Sequence, residues 1–204
     1  MGTMAMDEKR FPFLSRYLKL HSGRLDRYPQ CQGKGGLLRD VAEEGLLADA
    51  MDDLPPEAAE WLRNPPPVNV WVPEMAMEAV FLAVGDLRFR SAAEAEEWVY
   101  THDLARFQGR LYRLLMVVMS PIAVLRTVGK RWEAFHRGST LEVQAEKNRA
   151  LGFLRFPEWL YLDDARINMC GSFRAALTAG GAQNVAVRLI RASATEHVYE
   201  ATWK

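Results

Sequence analysis

The spacing of apolar residues changes near Gly138, and that change limits the possible folds more than any other feature of the chain. Before it, apolar residues recur at helical intervals; after it they alternate, which is the period of a strand with one buried face. Leu141 and Val143 alternate with Thr140 and Glu142, Asn148 breaks the run, and Leu151, Phe153, Leu154 and Phe156 follow before Pro157, the pattern of a hairpin. A helix is predicted from Asp163 to Thr178, with Ala165, Met169, Phe173, Ala176 and Leu177 inward and Gly180-Gly181 ending it. Val185, Val187 and Leu189 alternate in a third strand, and Val198, Tyr199, Ala201 and Trp203 mark a fourth. The last third therefore reads strand, strand, helix, strand, strand, an antiparallel sheet with one apolar face to cover.

Upstream, short amphipathic stretches are separated by proline and glycine. Phe13, Leu14, Tyr17 and Leu18 form one stripe of a helix over 11–21, and the glycine-rich stretch from His21 to Gly36 reads as a loop. Leu37, Leu38 and Val41 restart the helical spacing, and Pro55-Pro56 opens a short helix carrying Trp61 and Leu62. The run from Val68 to Val72 suggests one short strand closed by Pro73. From Glu74 a helix carries Met77, Val80, Phe81 and Val84 as far as Gly85, and Ser91 with Glu94 has the spacing of a capping box for the next helix. Leu111, Leu114, Leu115, Val118 and Met119 predict another helix, and Ser120-Pro121 opens a last one. That last helix aligns Leu125, Val128, Trp132 and Phe135 and ends at Gly138, so it is the expected cover for the sheet. The fold class expected is α+β, with a helical N-terminal half packed on a C-terminal four-stranded antiparallel sheet. At 204 residues we expect a single domain. Within it, 1–10 reads as a disordered tail, 11–137 as the mainly helical part and 138–204 as the sheet-plus-helix part.

Lysine and arginine balance aspartate and glutamate at 26 each, which argues against a dedicated nucleic-acid binder. Charge is nevertheless segregated: residues 9–39 hold eight Lys and Arg against Asp26, whereas residues 40–60 hold eight acids and no base. We expect these neighbouring runs to neutralise each other in the fold rather than to form a basic arm for an acidic partner or an anionic membrane surface. Cys31 and Cys170 have no CxxC spacing, so neither a disulfide framework nor a zinc site is signalled. The longest apolar runs are far shorter than the roughly 20 residues of a spanning helix, and a cytoplasmic protein without a membrane span is expected.

Catalytic signatures are missing from the sequence. Gly33-Lys34-Gly35-Gly36 lacks phosphate-loop spacing and reads as a flexible loop, and no GxSxG, HExxH or EF-hand pattern occurs. The histidines His21, His102, His136 and His197 form no local metal pair. His136 follows Trp132 by four residues, so the two are expected to project from one helix face toward the sheet. Asp163-Asp164 suits a helix N-terminus, and Arg174 suits an anion clamp or a pairing with a carboxylate.

Met119-Ser120-Pro121, Arg131-Trp132, the run Phe135 to Ser139, Phe156-Pro157, Leu160-Tyr161, Ala182 after Gly180-Gly181, and the closing Val198 to Trp203 resemble a myxobacterial paralogous family of uncharacterised proteins. The likeness runs from about Phe13 to Trp203 and implies a protein from a multi-member set with no assigned reaction. More remotely, the order of the C-terminal half is similar to the 4-vinyl reductase and haem nitric-oxide-binding superfamily of ligand-binding domains. Its Tyr-x-Ser-x-Arg motif has its nearest match in Cys170-Gly171-Ser172-Phe173-Arg174, with cysteine in the tyrosine's place, and no cofactor is expected. The function expected is therefore non-catalytic: a regulatory ligand-sensing or adaptor domain holding a small hydrophobic molecule between the 121–137 helix and the sheet. Leu125, Trp132, His136, Cys170 and Arg174 are the expected lining. A protein-interaction module or homodimer using the Phe13, Leu14, Tyr17 and Leu18 stripe is the alternative. An enzyme assembling His136, Cys170 and Arg174 comes third.

Overall fold

A computed structural model describes residues 6–109, 125, 127–163 and 165–204. In chain order the elements are α1 (Pro12–Leu20), β1 (Gln32–Lys34), α2 (Gly36–Glu43), a 3₁₀ turn (Met51–Asp53), α3 (Pro56–Arg63), β2 (Trp71–Pro73), α4 (Glu74–Arg88) and α5 (Ala92–Gln108). Then come α6 (Val128–Phe135), β3 (His136–Arg137), β4 (Thr140–Glu146), β5 (Arg149–Arg155), α7 (Cys170–Ala179), β6 (Ala186–Ala192) and β7 (Glu196–Thr202). The fold is α+β. The helix expected around Leu111–Met119 and the Ser120-Pro121 helix start lie outside the described residues.

The C-terminal sheet has the order β4-β5-β7-β6 and is antiparallel throughout. Glu146 pairs with Arg149 across a two-residue turn in which Lys147 has φ +45°, the left-handed conformation that fits the twist of a hairpin. Register fixes the inner face: Leu141 and Val143 of β4, Ala150, Gly152 and Leu154 of β5, His197, Tyr199 and Ala201 of β7, and Val187 and Leu189 of β6. Helix α7 packs on it with Phe173 and Leu177, and Phe173 meets the Tyr199 ring edge-on at 5.0 Å.

Pattern alone misplaces three boundaries. Helix α4 runs through Gly85 to Arg88, because Arg166 donates to the carbonyls of Gly85, Asp86 and Phe89 (3.0, 3.3 and 2.9 Å), partners that a helix C-terminus otherwise lacks. Helix α7 starts at Cys170 and not at Asp163; Asn168 Oδ1 accepts the Cys170 N–H at 2.8 Å, while Asp163 pairs with Arg16. The α6 helix stops at Phe135, three residues before Gly138, because His136 and Arg137 pair with β1.

That pairing creates a second sheet, β2-β1-β3, absent from the sequence reading. Its central strand comes from the glycine-rich stretch expected to be a loop. A Cβ at Gly33 would collide with Met77 Cε and lie 2.8 Å from Glu74 Oε2, so only glycine lets α4 approach β1 this closely. Helix α4 itself is buried on almost every side, from Met75 to Val84. Its Asp86 also accepts the Phe13 and Leu14 N–H groups at the start of α1, both at 3.1 Å.

Two expectations about the N-terminal region change. Leu14 and Tyr17 of the α1 stripe are fully buried and Phe13 and Leu18 pack on the core, so the stripe is not an exposed docking surface. Of the expected disordered tail, residues 7–10 form a turn, with the Phe11 N–H bonded to the Asp7 carbonyl at 2.9 Å and Arg10 paired with Asp53. The segregated runs meet at Arg10–Asp53 and Arg39–Glu43, but most of their ion pairs go elsewhere and not to each other: Arg88 holds Asp49, Arg63 holds Asp52, and Arg27 holds Glu158. Among the described residues no helix is long and apolar enough to cross a membrane.

Candidate functional site

Between α6, α7 and the inner face of the four-stranded sheet lies an apolar cleft. Leu125 and Val128 form one wall, Phe173, Ala176 and Leu177 of α7 another, and Leu141, Val143, Ala150, Gly152 and Ala201 the floor. Among the described residues no polar side chain lines it. Strand alternation explains this composition, since each floor residue is an inward position of its strand. Gly152 deepens the floor: a Cβ there would meet only Leu141 Cδ1 at 3.7 Å, Val143 Cγ2 at 3.9 Å and Tyr199 Cβ at 4.0 Å. The enclosed volume is about 50 Å³. That is smaller than the roughly 150 Å³ apolar cavity that admits benzene, so the cleft fits a few carbon atoms of a larger ligand.

A second, polar constellation lies on the other side of α6. Glu74 and Glu78 stand one turn apart on α4 and are both buried. The Glu74 carboxylate accepts from the Tyr161 hydroxyl at 3.0 Å, and His136 Nδ1 lies 3.2 and 3.3 Å from its two oxygens. With Glu74 ionised, Nδ1 carries the hydrogen, because a carboxylate only accepts. The Trp132 indole stacks on His136 at 3.9 Å with an interplanar angle of 12°, and Trp132 Nε1 donates to Ser139 Oγ at 3.0 Å. Burial and then the Glu74 charge push the Glu78 carboxyl up to about 8. Burial, followed by the charges of Glu74 and Glu78, likewise holds the Tyr161 phenol well above its ordinary range. The Cys31 thiol is pushed up to about 11 by burial and the nearby Glu74, so it is a thiol and not a nucleophilic thiolate.

The five side chains expected to line one pocket fall in four places. Leu125 lines the cleft. Trp132 and His136 belong to the Glu74 cluster, facing α4 and not the four-stranded sheet. Cys170 is buried at the start of α7, its thiol raised to about 12 by burial and then by Glu96. Arg174 turns to α5, where it pairs with Glu96 at 3.4 Å and Glu97 at 2.8 Å and lies 3.6 Å above the Tyr100 ring. No hydrogen bond joins His136, Cys170 and Arg174 among the described residues. The members that pattern reading missed are Glu74, Glu78, Ser139 and Tyr161. One signal for them stood in the sequence, two glutamates one turn apart within an otherwise apolar helix.

Among the described residues no group of three or more His, Cys, Asp or Glu side chains could hold a metal ion. Compared with protein-family models, curated proteins and solved structures, the chain matches none.

Proposed function

We propose that the protein is a non-catalytic, ligand-sensing domain of the cytoplasm that takes the apolar end of a small hydrophobic molecule into the cleft between α6, α7 and the four-stranded sheet. The observation that carries this reading is the cleft's wholly apolar lining at a place where helices cover an open sheet face. A glycine at the centre of the floor supports it, since an ordinary side chain could stand there. The polar cluster around Glu74 has its hydrogen bonds made internally and is shielded by Trp132, which suits a structural strut between α4 and β3 better than a reacting centre.

Native mass spectrometry of protein purified from its own cells tests the proposal. The expected result is an added mass that is lost on denaturation and is absent from Gly152→Leu, whose side chain fills the cleft. A bare polypeptide mass, together with unchanged Leu141 and Val143 methyl resonances when a short straight-chain alcohol such as butanol is added, would overturn it.

A further inference from the structure

The outer face of the three-stranded sheet brings two cations together without a counter-charge. Gly33 points inward at α4, so its neighbours Gln32 and Lys34 point outward. Register sets Trp71 opposite Lys34 and Arg137 opposite Gln32, which places all four side chains on the same outer surface. Lys34 Nζ lies 3.7 Å from the centre of the Trp71 ring and Arg137 Cζ lies 3.9 Å from it. Both charges therefore sit within about one Debye length of each other, close enough to repel at physiological salt. Their polar contacts are neutral: Lys34 Nζ donates to the Asn69 carbonyl at 2.8 Å and Arg137 Nη1 to Gln32 Oε1 at 3.4 Å. Neither has a carboxylate partner among the described residues.

The four-stranded sheet shows what this protein does elsewhere when it sets two arginines side by side. On its outer face Arg149 and Arg188 flank Glu200 at 2.7 and 2.6 Å, and Arg155 and Arg191 flank Glu196 at 3.0 and 2.7 Å. In each group an acid from the chain itself sits between the cations. Around Trp71 the cations are present and the acid is missing.

We propose that Lys34 and Arg137, held on either side of their shared contact with Trp71, form a binding site for a phosphate monoester. A dianion balances both charges, the guanidinium offers a planar fork to two of its oxygens, and the lysine supplies a point charge to a third. The site lies on the opposite side of β3 from His136 and is independent of the apolar cleft. The glycines next to Lys34 do not provide it: a Cβ at Gly35 would lie 2.7 Å from Pro66 Cγ, so the start of α2 is covered by the proline loop and not open to an anion.

Trp71 is the reporter. Sodium phosphate is titrated into the full chain at constant ionic strength while tryptophan emission is followed, with Trp71→Phe as the blank for the other five indoles. The expected result is a saturable change that sodium chloride does not produce, is lost in Trp71→Phe, and shifts to at least about tenfold higher phosphate in Lys34→Gln/Arg137→Gln. Both side chains are outward, so the double variant should keep its far-ultraviolet spectrum; should it not, the single Arg137→Gln is read in the same way. Co-sedimentation with phosphatidic acid vesicles, competed by phosphate, would assign the monoester to a lipid, whereas response to soluble phosphate without co-sedimentation assigns it to a soluble ester. A chloride response equal to that of phosphate, or a Gln variant that titrates like the wild type, overturns the site.

Discussion

The four-stranded sheet presents Leu141, Val143, Ala150 and Gly152 to its covering helices, whereas the three-stranded sheet presents Gly33 and His136 to Glu74 of α4. The first contact is apolar and leaves unfilled space beside a glycine. The second is polar, with Glu74 bonded to both His136 and Tyr161, and so tight that its glycines are collision points. Loose apolar packing tolerates an added methyl group and can admit a guest, while a buried hydrogen-bonded network tolerates neither. We assign ligand binding to the first and architecture to the second on that basis.

The sharpest way to break the comparison is one methyl group in each sheet region. At Gly138, where φ is +77°, a Cβ would lie 2.6 Å from Cys31 Sγ and 2.9 Å from both Cys31 Cα and the Gln30 carbonyl oxygen. Gly138→Ala should therefore destabilise the protein by on the order of 3 kcal/mol, measured by urea unfolding. Gly152→Ala meets only ordinary contacts and should change stability by less than about 1 kcal/mol. Equal losses at the two positions would erase the distinction.

The buried acid gives the next largest effect, and its sign is specific. The folded-state value for Glu78, about 8, is above the ordinary glutamate value of 4.5. Its contribution is fully present below the unfolded value and disappears as pH rises through about 8. Glu78→Gln should remove that alkaline decline and leave the variant more stable at pH 9 by on the order of 3 kcal/mol, seen in thermal melts across the range. His197 on the four-stranded sheet works in the opposite direction. Burial lowers it from 6.5 to about 4, and among the described residues its Nε2 has no hydrogen-bond partner. Its contribution is present above the unfolded value and is lost as pH falls toward 4, so His197→Phe should flatten the acid side of the same curve by roughly 2 kcal/mol. An unaltered acid side would show that His197 has access to solvent protons when folded.

The smallest expected effect tests the saturation of the polar cluster. Trp132→Phe keeps a ring over His136 and deletes only the donor to Ser139, and should lose about 1 kcal/mol by urea unfolding. A loss several times larger would mean that the stack, and not the hydrogen bond, holds β3 in place.

What was legible in the sequence follows the same division. Strands β4 to β7 are each seven residues long, enough for alternation to repeat, and the Ser91 N-cap was readable because its partner, the Glu94 N–H at 3.2 Å, is three residues away. Strands β1 and β3 are three and two residues long, too short to show any period, and exist only because distant segments pair with them. The same limit explains the candidate site. Leu125 is on the stripe that points to the cleft, but the floor is chosen by cross-strand register, and His136 bonds Glu74 on α4, which in turn is bonded by Tyr161 from beyond β5. Helical spacing joined Trp132 to His136 but aimed the pair at the four-stranded sheet, because a stripe alone does not show that β3 turns His136 toward Glu74 of α4.

The pairing of β1 with β3 also sets a schedule for synthesis. Gln32 and Arg137 are 105 positions apart, and at roughly 5–20 residues per second a ribosome needs about 5–20 seconds to make the second after the first. During that interval the glycine-rich central strand has β2 available on one side and open backbone groups on the other, next to a half-built α4 interface with two uncompensated glutamates. The N-terminal half of the nascent chain is therefore held unfinished until His136 emerges, and for those seconds it depends on whatever shields unpaired strands inside the cell.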